Sequence, residues 1–185
     1  VLDYLVGRGT PFLVLPVPDA SSLEGAAAAH GVLVSELVRT ELVIGRMGPA
    51  LMVIPAARSL DLELVRAVLG DPQARLATHV EIRRHCMDCD PGAVPPFSML
   101  FRAPMYVDPA VTELHQIVFA AGRAGVVVCM QREELFRDDP YVVAALTQES
   151  YIPQPLIAPS RRRVLTDEDL VPVHLAKRQR SADVA

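Results

Sequence analysis

Apolar residues along this chain fall in short runs interrupted by proline, glycine or charge, and the spacing within the runs changes from one to the next. Phe12 to Val17 is rich in Leu and Val and ends at Pro16 and Pro18, which suits a first strand near a sheet edge. Ser21-Ser22-Leu23-Glu24 has serine followed three residues later by glutamate, a capping box, and leads into the alanines 26–29 before Gly31, predicting a short helix. Leu37 to Ile44 and Leu51 to Ile54 predict a hairpin turning through Gly45-Arg46-Met47-Gly48-Pro49. Leu60, Leu64, Val65, Val68 and Leu69 have helical spacing, so a second helix is expected over Ser59 to Leu69, stopped by Gly70 and Asp71-Pro72. Thr78-His79-Val80-Glu81 repeats the capping-box pattern and starts a third.

That third helix must end before a loop holding Pro91 and Gly92. Met105 to Val107 then reads as a strand, Asp108-Pro109 as a helix start, Ile117 to Ala120 and Val126 to Met130 as strands, and Arg132 to Phe136 as a last helix. Hairpins are mixed with crossovers. The expected fold class is therefore α/β of the mixed α+β kind, a curved mixed sheet with flanking helices around a central pocket. Residues 1–140 are expected to form the domain and 141–185 a tail, in which Pro153, Pro155 and Pro159 precede Arg161-Arg162-Arg163, with one helical turn after Thr166.

With 185 residues, one domain can bury a substantial core. No apolar stretch approaches the roughly 18 residues of a membrane helix, and no basic segment followed by an apolar one opens the sequence, so a cytoplasmic protein without a membrane partner is expected. A net charge of −4 argues against coating DNA or RNA non-specifically, which takes many Lys and Arg. A small basic site for one RNA end is compatible with it. Nearly all of the positive charge is arginine, since Lys177 is the only lysine. The oligomeric state is open.

Chemistry is concentrated around Pro91-Gly92-Ala93-Val94-Pro95-Pro96-Phe97. Glycine permits positive φ, and the two prolines fix their own φ and bias the residue before each toward extended geometry. Rigid backbone N–H groups can hold a developing oxyanion without reorganising. A stiff turn between a helix and a strand would look the same in isolation.

Other segments surround that loop in a recognisable order: Val38-Arg39-Thr40, Val53-Ile54-Pro55 with Leu60-Asp61-Leu62, Tyr106-Val107-Asp108, and Ala121-Gly122-Arg123-Ala124-Gly125. From about Tyr4 to Phe136 the chain resembles the YbaK-type aminoacyl-tRNA deacylases, the editing-domain family of bacterial prolyl-tRNA synthetase. The resemblance implies one pocket that receives the 3′ end of a mischarged tRNA and hydrolyses the ester between amino acid and ribose. It implies no cofactor and no metal, and it makes an aminoacyl-tRNA synthetase a possible partner. It assigns catalytic positions to Gly92 and Pro96 and to Arg39, and substrate-binding positions to Thr40, Ala93, Val94, Gly122 and Gly125.

Arg39 departs from the pattern, because the family reads Val-Lys-Thr where this chain reads Val38-Arg39-Thr40. Arginine keeps the positive charge but changes reach and donor geometry, and it cannot act as a base. Two readings follow: a trans-editing hydrolase in which Arg39 positions the substrate electrostatically, or a binding module for an aminoacyl-tRNA 3′ end or a small amino-acid ligand. An arginine at a strand edge that pairs with Glu41 is the structural alternative.

His85-Cys86-Met87-Asp88-Cys89 contains a CxxC pair beside a histidine, but no second pair follows to complete a four-ligand zinc site. The pair also follows a helix rather than starting one, unlike a thioredoxin-type redox site. Reduced thiols are expected for Cys86, Cys89 and Cys129, the last in a buried strand. Asp108 before Pro109 suits a helix cap, His79 suits a solvated or capping role, and Arg161 to Arg163 offer an RNA-backbone contact or a solvated charge run.

Overall fold

The computed structural model describes residues 1–16, 23, 25, 30–86, 89–123 and 125–148. The helix expected over the alanines 26–29 and the expected turn after Thr166 lie outside the described residues. In chain order the elements are α1 (Leu2–Arg8), β1 (Leu13–Pro16), a 3-10 turn (Val34–Glu36), β2 (Val38–Gly45), β3 (Gly48–Pro55), α2 (Leu62–Leu69), β4 (Arg75–Leu76) and α3 (His79–His85). There follow α4 (Ser98–Phe101), β5 (Met105–Val107), α5 (Pro109–Thr112), β6 (Gln116–Ala120), β7 (Val126–Gln131), α6 (Arg132–Phe136) and β8 (Val142–Val143).

Two sheets carry the fold, one ordered β1-β7-β6 and the other β4-β2-β3-β5-β8. The first is antiparallel. The second is mixed: β2 runs antiparallel to β3 and β4, while β3 to β5 and β5 to β8 are parallel. A parallel bridge from Leu37 to Val118 links them. The fold is thus mixed α/β, and β1 lies at an edge, where the missing N–H of Pro16 is tolerated.

The β2–β3 hairpin is tighter than its sequence suggests. Gly45 pairs with Gly48, so only Arg46 and Met47 turn, and Pro49 already pairs with Ile44 at the start of β3, where proline is permitted. Val38, Leu42, Leu51 and Val53 belong to the main core cluster, with Val94, Phe97, Phe119 and Met130. Val43, Ala50, Met52 and Ile54 belong to a second cluster with Val65 of α2. Burial on both faces explains why these strands read as nearly continuous apolar runs.

Helix starts follow side-chain caps. Asp61 accepts from the N–H groups of Glu63 (2.8 Å) and Leu64 (3.3 Å), so α2 begins at Leu62 instead of Ser59. Thr78 and Glu81 form the expected capping box at α3, and Arg75 reaches Glu81 with two hydrogen bonds of 2.8 and 2.9 Å. Helix α1 had no counterpart in the sequence reading; Gly9 in the left-handed region closes it.

The chain stays packed beyond residue 140. Val142 and Val143 pair with Tyr106 and Val107, Leu146 is fully buried, and Thr147 bridges to Leu60. Residues 142–148 thus form a strap across the β5 end of the sheet, fastened by Asp108, whose Oδ2 accepts from the N–H groups of Leu146 (3.2 Å) and Thr147 (3.1 Å) and from Thr147 Oγ1 (2.9 Å).

Candidate functional site

The loop between α3 and α4 is clamped to the β6–β7 turn by backbone hydrogen bonds. Asp90 donates its N–H to the Gly122 carbonyl at 2.7 Å, and Gly122 donates to the Ala93 carbonyl at 2.8 Å. Gly92 has φ 82° and Gly122 φ 91°, a region that side chains disfavour, so both positions require glycine's freedom. Gly92 is exposed, while Ala93, Val94, Pro95, Pro96 and Phe97 are buried. Phe97 anchors the loop, with ring centroids 5.3 Å from Tyr4 and 5.6 Å from Phe119.

This wiring narrows which amides the loop could offer to a ligand. Ala93 donates to the Asp90 carbonyl and Phe97 to the Pro95 carbonyl, and proline has no N–H. Asp90 and Gly122 are spent on the clamp. Any donor role within the loop therefore falls to Gly92 or Val94.

Strand β2 sends its two candidate residues to opposite faces. Thr40 shares the face of Val38 and Leu42, where the Gly92 loop packs through Val94 and Phe97. Its hydroxyl is buried and makes no hydrogen bond among the described residues. Arg39 lies opposite Ile54 on the other face. There its Nη2 donates to the Arg58 carbonyl at 3.0 Å and its Nε lies 3.5 Å from Glu41 Oε1. The Arg39–Glu41 pair expected at a strand edge is present, and Arg58 joins it.

The family described as "Aminoacyl-tRNA editing domain" matches residues 17–137. The chain belongs to the aminoacyl-tRNA editing domain family. A candidate trans-editing enzyme for prolyl tRNA synthetase superposes with TM-score 0.66 at 26% identity, covering 73% of this chain and 85% of that one. The hypothetical protein APE2540 gives TM-score 0.70 at 25% identity over 80% of this chain and 98% of that one. A candidate signal transduction protein from Marinobacter aquaeolei VT8, 18% identical with TM-score 0.57, covers 78% of this chain and 30% of that one, and shares the fold alone. A comparison with curated proteins gave no match.

Within this editing domain, the structure joins Gly122 by hydrogen bonds to Asp90 and Ala93 on either side of Gly92, and closes the β6–β7 turn with Gly125, at φ 79°. Pro96 is buried in the same loop. Arg39 is placed with Glu41 and Arg58, a neighbour without a periodic or motif signal in the Ala56-Ala57-Arg58-Ser59 turn. Two concavities lie elsewhere: a cavity of about 110 Å³ between the hairpin tip and Asp71, and a groove of about 350 Å³ along Met99, Arg102 and Tyr141.

The three cysteines are buried thiols that form no disulfide among the described residues. Burial pushes the Cys86 thiol up to about 12, with the nearby Cys89 adding to it, and burial likewise pushes Cys129 up to about 12, with Glu36 adding. Among the described residues no three His, Cys, Asp or Glu side chains gather to hold a metal. Asp108 caps α5 by accepting from the Ala110 N–H at 3.1 Å, the structural role its position before Pro109 suggests. Among the described residues no helix is long and apolar enough to cross a membrane.

Proposed function

We propose that this chain is a trans-editing hydrolase, cytoplasmic, that cleaves the ester bond of a mischarged aminoacyl-tRNA, with an aminoacyl-tRNA synthetase as a possible partner. The family match over residues 17–137 supports the class of reaction. The observation that carries the reading to particular residues is the clamp between the Gly92 loop and Gly122, which fixes the loop backbone before substrate arrives. Preorganised donors of this kind stabilise charge that develops in the transition state.

In this mechanism a water oxygen attacks the ester carbonyl and the bond between the acyl carbon and the ribose oxygen breaks. The ribose oxygen leaves with a proton, releasing free amino acid and uncharged tRNA. The amide of Gly92 or Val94 stabilises the carbonyl oxygen as it gains charge. Thr40 contributes an uncommitted buried hydroxyl on the same side of β2. Arg39 contributes charge and positioning only, because a guanidinium stays protonated.

The position of Arg39 across β2 from Thr40 favours a second reading, a module that binds the aminoacylated RNA end without turnover. One experiment separates them: incubation with alanyl, cysteinyl, seryl and threonyl mischarged tRNAs, following ester loss beside an Arg39→Ala control. Ester loss from one species that the control lacks establishes the hydrolase. Binding without ester loss from any of them establishes the module.

A further inference from the structure

Arg58 is a residue that the fold places beside Arg39 and that the proposed chemistry leaves unused. Its N–H donates to the Pro55 carbonyl at 3.0 Å, closing the turn that follows β3, and its carbonyl accepts from Arg39 Nη2 at 3.0 Å. The Arg39 guanidinium is thereby tied to the Arg58 backbone, while the Arg58 guanidinium extends toward Thr147 and Asp108. Both side chains keep solvent access, 38% for Arg39 and 30% for Arg58.

Neither guanidinium is saturated by its neighbours. Arg58 Nη1 makes a long 3.4 Å contact to Thr147 Oγ1 and stands 3.8 Å from Asp108 Oδ1, too far for a hydrogen bond. Asp108 is already loaded, with Oδ1 taken by the Ala110 N–H and Oδ2 by Leu146 and by Thr147 twice. Arg39 has Glu41 at 3.5 Å as its acidic neighbour, and among the described residues its buried Nε forms no hydrogen bond. Among the described residues Arg39 Nη1 and Arg58 Nη2 make no hydrogen bond, and a guanidinium fork matches the oxygens of a phosphate.

We propose that Arg58 and Arg39 together seat a phosphodiester of the substrate's single-stranded 3′ end, with Arg58 as a positioning residue. This rests on the editing reading, in which an RNA end is the ligand. A backbone seat would fix the register of the strand, and the chemistry at the ester would depend on that register.

The test is binding of an RNA microhelix ending in CCA to the whole protein, measured across a salt series. Each phosphate neutralised on a single strand contributes roughly 0.7 to the slope of log affinity against log salt. Arg58→Ala is expected to weaken binding about tenfold and flatten the slope by about 0.7, and Arg58→Lys to restore the slope because it keeps the charge. Thermal melts confirm that each variant is folded. Weakened binding with an unchanged slope overturns the proposal and assigns Arg58 to holding Thr147, while ester loss by the wild-type protein keeps the editing reading intact. A wild-type protein that neither binds the microhelix nor deacylates any charged tRNA overturns both.

Discussion

Asp108 grips Thr147 twice, accepting from its backbone N–H at 3.1 Å and from its hydroxyl at 2.9 Å, and by this grip the strap of residues 142–148 is bound to the sheet. Asp108 is 2% exposed and Thr147 7% exposed, so losing one partner leaves the other short of hydrogen bonds inside the protein. Thr147→Val is expected to cost about 1–3 kcal/mol and Asp108→Ala more, since the aspartate also caps α5. Urea unfolding measures both. Equal stability of Thr147→Val and wild type would mean that the strap does not depend on this bond.

A second buried carboxylate ties α1 to α4. Asp139, 1% exposed, pairs with Arg8 of α1, accepts from Tyr4 (3.3 Å), and caps α4 from outside by accepting from Ser98 Oγ (3.0 Å) and the Met99 N–H (2.9 Å). Asp139→Ala leaves the largely buried Arg8 with only the exposed Asp138, 3.1 Å away, as counter-charge, so the loss should approach the about 3–5 kcal/mol typical of breaking a buried pair without exceeding it. Urea midpoints should show that loss. Arg8→Ala should cost a similar amount, and the double variant less than the sum, because the two residues share one interaction.

These two carboxylates show what the sequence could and could not reveal. Asp108 was legible because Asp-Pro at a helix start is a local signal, and the hairpin, α3 and strands β5 to β7 were legible for the same reason: their periodicity or cap lies within a few residues. Asp139 was not, since its partners Tyr4, Arg8 and Ser98 are far away in sequence and only the fold assembles them. The strap was missed because Val142-Val143 is too short for a period and its anchor is tertiary. The placing of the Gly122 turn against the loop that holds Gly92 was accessible through resemblance, whereas the turn that delivers Arg58 to Arg39 carries no pattern at all.

The thiols carry a pH dependence whose direction follows from burial. Cys86 and Cys129 have folded values raised from 9.0 to about 12, so the native state favours the neutral thiol. Their contribution is fully present below the unfolded value and is lost as pH rises through about 12, so stability should decline between pH 9 and 12. At pH 8 neither thiol should react with iodoacetamide until the protein is unfolded in urea. Rapid alkylation of the native protein at those two sites, read by mass spectrometry, would contradict the buried placement.

Gly92 separates backbone conformation from packing. A Cβ added there would meet no heavy atom within 4 Å, yet φ is 82°, so the expense of Gly92→Ala is conformational, roughly 1–2 kcal/mol. The loop can relieve that strain by rotating the peptide planes that present the Gly92 and Val94 amides. Deacylation should therefore fall by about tenfold or more while the fold, fixed by buried Phe97 and the Gly122 clamp, persists. Activity and melting temperature measured together decide it; equal loss of both would make Gly92 a structural glycine only.

Arg39 distinguishes electrostatic from proton-transfer chemistry. If its charge positions the substrate, Arg39→Ala should lower kcat/KM by roughly 100-fold or more, and Arg39→Lys, which keeps a cation on β2, should retain activity within about tenfold. Lysine can titrate where arginine cannot. Wild type and Arg39→Lys should then share one pH–rate profile at pH 7–8, because each side chain is a fixed charge in that range. A lysine variant that is much faster than wild type, with a rate rising as its amine deprotonates, would show that this position calls for a base, and that arginine holds the wild-type protein in the binding-only state.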